Sequence, residues 1–321
     1  MHGPAALLAL LVSSAAAAGP SVEVIPARVK PGDPVLVVVR GVKDLPTGTV
    51  GTQEASFYPR GQDAEALVAL PIEQEPGLLE VHVSAGGANL RAPLEVLPPE
   101  FRERQLTVAG KYVKPPASAR AQIKADSAAF KKAWATPLRP RAFDDNFQKP
   151  RDAVITAYFG DHRTYNGKKL NTHYALDLDG ATGEEIRTAN DGRVILVRGC
   201  YYSGNTVLVD HGAGLITAYF HLSKFLVKQG QEVRRGDLLG LVGKTGRVTG
   251  PHLHFGAHLG SLWVNPQALL ALPFPGAPSP PVTFPPPEGP DGGTPDGETR
   301  DGGTVDGGTA GRRAPPDAGA R

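Results

Sequence analysis

Two histidines stand two positions apart in the stretch TGPHLHFG, residues 249–256. Because alternate side chains of a β-strand point to the same face, His252 and His254 would lie side by side. Neutral imidazoles placed together can bind a metal ion, whereas two charged rings would repel each other. An H-x-H pair alone is weak evidence, since many such pairs are ordinary surface residues.

A second stretch, NTHYALDLDG, supplies further ligand types. His173 and Asp177 are four residues apart, a spacing that lets both side chains face one ion on a strand or on a helix. Catalytic zinc sites usually hold the metal with three protein ligands and leave the fourth position to water. His173, Asp177 and one histidine of the H-x-H pair would provide that set.

A further histidine, His221, ends the apolar run in TAYFHLSKF. Taken alone, it is best interpreted as a core histidine with its ring nitrogens hydrogen-bonded. Beside a zinc site it becomes a candidate acid–base residue. Seven of the nine histidines lie between positions 162 and 258, so the chemistry is predicted for this part of the chain.

The segments THYALD, ITAYFHLSKFLVKQGQEVRRGDLLGLVGKTGRVTGPHLHF and WVNP closely resemble the catalytic domain of the lysostaphin- and LytM-like zinc metallopeptidases. The resemblance runs from about Phe159 to Leu270. It implies a small antiparallel β fold with a groove, one zinc ion per chain, and cleavage of peptides in bacterial peptidoglycan.

The resemblance also implies a role for each matching residue. It assigns His173, Asp177 and His254 as the zinc ligands. It assigns His221 and His252 as the catalytic pair that does not bind the metal. Either member of that pair could act as the general base. Three further residues are predicted to contact substrate in the groove: Asn205, Arg163 and Tyr165.

The rest of the chain divides by composition. Residues 1–18 have the apolar run and small residues of a secretory signal, and residues 20–98 form short alternating runs typical of a β-sandwich, predicted as immunoglobulin-like. Residues 99–150 favour a basic helical linker. A β catalytic domain is expected over 151–272, followed by a disordered Pro/Gly/Asp-rich tail at 273–321. The predicted fold class is therefore mainly β.

Composition limits the partners. The formal net charge is only +2, which gives no support for nucleic-acid binding, and no stretch is long and apolar enough for a transmembrane segment. The signal-like N-terminus predicts an exported protein of the periplasm or of the extracellular space or cell wall, and the family resemblance implies that its partners are peptidoglycan peptides. The alternative is a non-catalytic module that activates cell-wall amidases. The bond cleaved is left open between D-Ala–diaminopimelate and a glycine-rich bridge.

Overall fold

The structure is a computed structural model and describes residues 19–285. The predicted signal at residues 1–18 and most of the predicted tail lie outside the described residues. No helix within residues 19–285 is long and apolar enough to cross a membrane. Strands dominate this part of the chain, which confirms the mainly β fold class.

Nine strands come before residue 97. They are β1 (Ser21–Ile25), β2 (Arg28–Val29), β3 (Pro34–Arg40), β4 (Thr47–Val50), β5 (Gln53–Glu54), β6 (Tyr58–Arg60), β7 (Asp63–Ala69), β8 (Gly77–Ala85) and β9 (Ala88–Val96). One sheet has the order β1-β3-β7-β6 and the other β2-β9-β8-β4-β5.

The two N-terminal sheets share one hydrophobic core. Valines of β3 and β8, such as Val37 and Val81, are fully buried in the same cluster as Leu94 of β9. The β-branched side chains favour strands, and packing the two inner faces removes this apolar surface from water. A two-sheet sandwich is the result, while its immunoglobulin-like connectivity stays a prediction.

The chain between the sandwich and the second β region contains one strand and two helices. These are β10 (Glu103–Leu106), α1 (Gly110–Val113) and α2 (Arg120–Trp134), with one 3-10 turn at Ala117–Ala119. Alanine, lysine and glutamine favour the helix predicted here, and Phe130 and Trp134 share one face of it. Strand β10 was not expected in a segment predicted as a helical linker. The proposed domain boundaries stay predictions.

Thirteen strands and a short helix follow. They are β11 (Ile155–Ala157), β12 (His162–Tyr165), β13 (Lys169–Thr172), β14 (Leu176–Asp179), β15 (Glu185–Arg187), β16 (Gly192–Cys200), β17 (Gly204–Asp210), β18 (Leu215–Leu222), β19 (Lys224–Phe225), β20 (Glu232–Val233), β21 (Leu238–Leu241), β22 (His252–Leu259), β23 (Leu262–Val264) and α3 (Pro266–Ala271).

An eight-stranded sheet forms the centre of this second region. Its order is β11-β14-β22-β18-β17-β16-β20, with β23 also paired to β22, and each of these pairings is antiparallel. Helix α2 covers one face, where Phe130 packs edge-on against Phe220 of β18 with ring centroids 5.8 Å apart. Beside this sheet, β10 extends the β12–β13 hairpin by pairing parallel with β12.

Polar contacts fix the sandwich against the second region. Arg141, in the extended segment after α2, forms a buried ion pair with Glu65 of β7 at 2.8 Å. Asn265 donates its backbone N–H to the Gly32 carbonyl at 2.8 Å and its amide to Asp33 at 2.9 Å. Buried pairs of this kind favour one relative orientation, because a displaced partner would leave a charge unpaired.

Candidate metal and catalytic site

The register of the central sheet brings the predicted residues together. Asp177 of β14 lies directly opposite His254 of β22, and His252 lies opposite Asp179 two pairs further along. His173 comes just before β14, after the β12–β13 hairpin. The sheet therefore joins two stretches that are about eighty residues apart in the sequence.

Three side-chain atoms converge at this point. His173 Nε2 lies 3.0 Å from Asp177 Oδ1 and 3.1 Å from His254 Nδ1, and the His254 and Asp177 atoms are 2.9 Å apart. Two zinc ligands bonded at about 2.0–2.1 Å with a tetrahedral angle are separated by about 3.3 Å, so the spacing is close to that of a metal-binding set.

The hydrogen bonds of His173 favour a cation between these atoms. Its Nδ1–H donates to the Tyr158 carbonyl at 2.8 Å, so the neutral ring directs the lone pair of Nε2 towards Asp177. An ionised carboxylate and an imidazole lone pair repel each other at 3.0 Å unless a cation or a shared proton lies between them. The donor set therefore fits a metal ion.

The charge of Asp177 is stabilised although the residue is buried. Burial alone would raise its pKa, but the positive charge that the His173 and His252 rings carry when protonated, together with hydrogen bonds from His173 and His254, outweighs this effect and holds the pKa well below its usual range. Arg163 donates from Nη2 to Asp177 Oδ2 at 2.7 Å. This contact occupies one carboxylate oxygen and leaves Oδ1 directed at the two histidines.

The ring of His254 is neutral at ordinary pH. Burial lowers the pKa of His254 to about 4, against the opposing effect of Asp177. The ring also stacks almost parallel on Phe220, with centroids 5.2 Å apart. Because Phe220 is packed in turn against α2, the helix indirectly holds this imidazole in place.

The two other predicted histidines face the same place. His221 Nδ1–H donates to the Thr245 carbonyl at 2.8 Å, and His252 Nδ1–H donates to the Gly250 carbonyl at 2.9 Å. In the neutral form each ring then presents an unprotonated Nε2, the atom needed to accept a proton. The two ring centroids are 5.1 Å apart, and His252 Nε2 lies 3.7 Å from Asp177 Oδ1.

The backbone of His221 is strained. Its φ of +66° lies in the left-handed region, which is uncommon for residues other than glycine. Its N–H donates to the Ser203 carbonyl at 2.9 Å, and burial, followed by the nearby His252 and His254, lowers the pKa of His221 well below its usual value. Such strain is often found at functional sites.

A second group of nitrogen atoms could also hold a cation. It consists of His221, His252 and His254, and thus shares His254 with the first group. The set formed by His173, Asp177 and His254 contains the carboxylate and has contacts of 2.9–3.1 Å. We therefore favour it as the metal-binding set.

The three predicted substrate contacts lie in different surroundings. Arg163 is buried and its contact is with Asp177, whereas Tyr165 is buried beneath the guanidinium of Arg247. Asn205 is half-buried and donates its backbone N–H to Thr245 Oγ1 at 2.8 Å. Their contact with substrate stays a prediction.

Sequence reasoning missed the residues that orient the histidines. Phe220 supports His254 by stacking, while Tyr158 and Thr245 act through backbone carbonyls. Phe220 directly precedes His221 in the apolar run, so its place beside the site was visible in principle. Every residue has a backbone carbonyl, so residue type does not show which carbonyl will accept a hydrogen bond. Those two contacts therefore could not be found from the sequence.

Comparison with known proteins identifies the domain that holds this site. Residues 171–266 match the sequence profile described as Peptidase family M23. A Pseudomonas aeruginosa protein assigned to peptidase M23 has a crystal structure that aligns with a TM-score of 0.56 and 27% identity, covering 74% of this chain and 93% of that one. The shared fold thus extends well beyond residues 171–266, which form a Peptidase family M23 domain.

Curated relatives match a segment of about the same length as this domain. The "Peptidoglycan DD-endopeptidase ShyA" of Vibrio cholerae serotype O1 is 48% identical over 88 residues, which are 27% of this chain and 20% of that protein. The "DD-carboxypeptidase/endopeptidase Mpg" of Neisseria meningitidis serogroup B is 42% identical over 105 residues, 32% of this chain and 24% of that protein. The matches therefore span about a fifth to a quarter of these relatives.

Proposed function

We propose that this chain is an exported zinc endopeptidase that hydrolyses peptide bonds in bacterial peptidoglycan. The observation that carries the proposal is the convergence of His173, Asp177 and His254 within an M23 domain, beside two histidines that present Nε2. The names of the two relatives point to peptidoglycan as the substrate. Action on that polymer requires a periplasmic or extracellular location.

In this proposal His173, Asp177 and His254 hold one Zn²⁺. When bound in such a set, zinc lowers the pKa of water towards neutrality and polarises the scissile carbonyl. Arg163 keeps the Asp177 carboxylate in position, and the Tyr158 carbonyl keeps His173 Nε2 directed at the site. These contacts organise the site before substrate arrives, which reduces the cost of rearrangement.

His221 and His252 carry out the proton transfers. One neutral ring takes the proton of the attacking water at Nε2 and then passes that proton to the leaving nitrogen, while the other ring, when protonated at Nε2, donates a hydrogen bond to the oxyanion. Both rings are held through Nδ1 by backbone carbonyls, so each keeps its Nε2 available.

The test combines metal analysis with product identification. Purified protein supplied with zinc should contain about one zinc per chain and should cleave cross-linked muropeptide dimers, giving monomers identified by mass spectrometry. A chelator should abolish cleavage, and added zinc should restore it. Folded, zinc-loaded protein that leaves every dimer intact would contradict the proposal; stimulation of a purified amidase by that inactive protein would favour the regulatory module.

A further inference from the structure

One cation next to the site has no carboxylate partner among the residues that the structure describes. Arg247 lies in the loop between β21 and β22, and its guanidinium lies 4.6 Å from the ring centroid of Tyr165 and 5.1 Å from that of Tyr202. Within residues 19–285, no carboxylate is within ion-pair distance of it. Contact with aromatic faces stabilises the charge while leaving the N–H groups at the edge of the guanidinium plane able to bind an anion.

Contacts connect Arg247 to the candidate catalytic residues on two sides. Tyr165, which it covers, lies two residues after Arg163 on β12, and Arg163 holds Asp177. Two residues before Arg247, the Thr245 carbonyl accepts the hydrogen bond of His221 Nδ1. The loop that carries the unpaired cation is therefore the same loop that orients a catalytic histidine.

The loop is also held firmly. The Arg247 N–H donates to the Tyr202 carbonyl at 2.8 Å. A Cβ on Gly246 would lie 2.4 Å from Gly204 N and 2.5 Å from Tyr202 O, so these loops approach as closely as only glycine permits. A guanidinium fixed in this way loses little further freedom when it binds an anion, which favours affinity.

We propose that Arg247 binds a free carboxylate of the substrate beside the scissile bond, so that the enzyme prefers diaminopimelate-type cross-links to glycine bridges. A guanidinium matches a carboxylate with two parallel hydrogen bonds. A diaminopimelate cross-link uses one amino group and leaves the carboxylate on the same carbon free, whereas a glycine bridge has no charge there. The inference rests on the proposed peptidoglycan endopeptidase activity.

The test compares three cross-linked dimers on the full-length protein. One has the free diaminopimelate carboxylate, the second has that group converted to the carboxamide, and the third has a glycine bridge. We expect wild type to favour the free carboxylate by roughly 10-fold or more in kcat/KM, as the loss of a hydrogen bond to a charged group implies. Equal rates on the carboxylate and carboxamide dimers, or a preference for the glycine bridge, would overturn the inference without needing any variant.

Variants then assign the preference to this side chain. Arg247→Ala should lose about 10–100-fold in kcat/KM on the carboxylate dimer, mainly through KM, and change little on the carboxamide dimer. Arg247→Lys should have a kcat/KM on the carboxylate dimer between those of wild type and Arg247→Ala, because lysine keeps the charge but lacks the two parallel N–H donors of a guanidinium. Lys244→Ala removes an exposed cation from the same loop and should match wild type. Zinc content should be unchanged in each.

The two levels of proposal fail in different ways. Equal losses for Arg247→Ala on the carboxylate and carboxamide dimers would show a structural role and overturn the inference, while the endopeptidase activity would stand. A wild-type protein that cleaves none of the three dimers would overturn the proposed function and this inference with it.

Discussion

The two β regions of this protein are built from similar strands but bury very different side chains. The sandwich core is mainly aliphatic, with Phe57 as its one aromatic member, and apart from the tyrosine Tyr58 the only buried charged or polar side chain among the described residues before position 100 is Glu65. The second region buries many, including His173, Asp177 and His221. Buried polar groups are costly unless they are hydrogen-bonded. Their concentration in one region therefore marks where the chain has been arranged for chemistry.

The exception supports the comparison. Glu65 does not lie in the aliphatic core but pairs with Arg141 of the segment leading into the second region. Tyr58 lies beside this pair, and burial raises the pKa of its hydroxyl. The sandwich thus places its one buried charge at the contact with its neighbour, consistent with a role in positioning.

The largest effects are expected at the metal set. His254→Ala and Asp177→Ala each leave two protein ligands, so zinc content and peptide cleavage should fall together, to near background. Zinc is measured by elemental analysis of the dialysed variants, and cleavage on a soluble dimer. Full zinc retention by Asp177→Ala together with zinc loss by His221→Ala would instead assign the metal to the group formed by His221, His252 and His254.

The catalytic pair should behave differently from the ligands. His252→Ala and His221→Ala keep His173, Asp177 and His254, so zinc should remain while turnover drops by roughly 10²–10⁴-fold, the range of a lost acid–base group. If His252→Ala loses its metal while His254→Ala keeps it, the roles assigned to His252 and His254 are reversed. Wild-type cleavage by all of these variants would place the active site elsewhere.

The sandwich should show the opposite response, with stability lost and zinc retained. Leu94→Ala removes a fully buried side chain from the shared core and should lower the free energy of unfolding by about 2–5 kcal/mol. Leu78→Ala, at a position 72% exposed on β8, is the matched control and should change it by less than about 0.5 kcal/mol. Both are read from denaturant unfolding, with zinc content measured below the transition. Equal effects would disprove the single core.

A smaller effect concerns a buried histidine outside the metal set. His258 stacks on Trp134 with ring centroids 4.2 Å apart, and burial lowers the pKa of His258 to about 4. The unfolded chain takes up a proton near pH 6.5, so the free energy of unfolding should fall as pH drops from about 6.5 towards 4. At pH 5 this preferential protonation of the unfolded chain should lower the free energy of unfolding by about 2 kcal/mol relative to pH 7.5.

Replacement by phenylalanine isolates that contribution. His258→Phe keeps a ring against Trp134, and it removes an Nδ1 that is buried with no hydrogen-bond partner among the described residues. Its stability relative to wild type should therefore rise by about 2 kcal/mol between pH 7.5 and pH 5. Parallel pH profiles for wild type and His258→Phe would contradict the prediction.

Local pattern explains which parts of this structure could be predicted. The alternating runs gave the strands, and composition gave helix α2, because both depend on side chains close in sequence. His173, Asp177, His221, His252 and His254 could be brought together because H-x-H spacing and a family resemblance both point to one site. The structure places all five there, while their assignment as ligands or catalytic residues remains a proposal.

Contacts between distant loops could not be predicted. Strand β10 pairs with β12 across more than fifty residues, and nothing in its four residues distinguishes it from a linker. Arg247 looked like an ordinary loop cation until Tyr165 and Tyr202 were placed beneath it. Arg163 was predicted to contact substrate, but its hydrogen bond to Asp177 depends on a register that sequence does not reveal.

The smallest effect is expected at the C-terminal end. Ending the chain after Pro285 removes the Asp-Gly-Thr repeats, which have few apolar groups to bury. The free energy of unfolding should therefore change by less than about 0.5 kcal/mol, and the rate of cleavage of soluble dimers by less than about twofold. Ending it after Pro278 also removes Ser279, whose backbone N–H and hydroxyl donate to Asp145 at 3.0 and 2.7 Å, and should cost about 1–3 kcal/mol more. Thermal unfolding of the two truncations and the full chain measures both effects. A large loss of stability on removing residues 286–321 alone would show that the repeats pack on the folded protein. The repeats would then be a third packed region, beside the aliphatic sandwich and the polar second region.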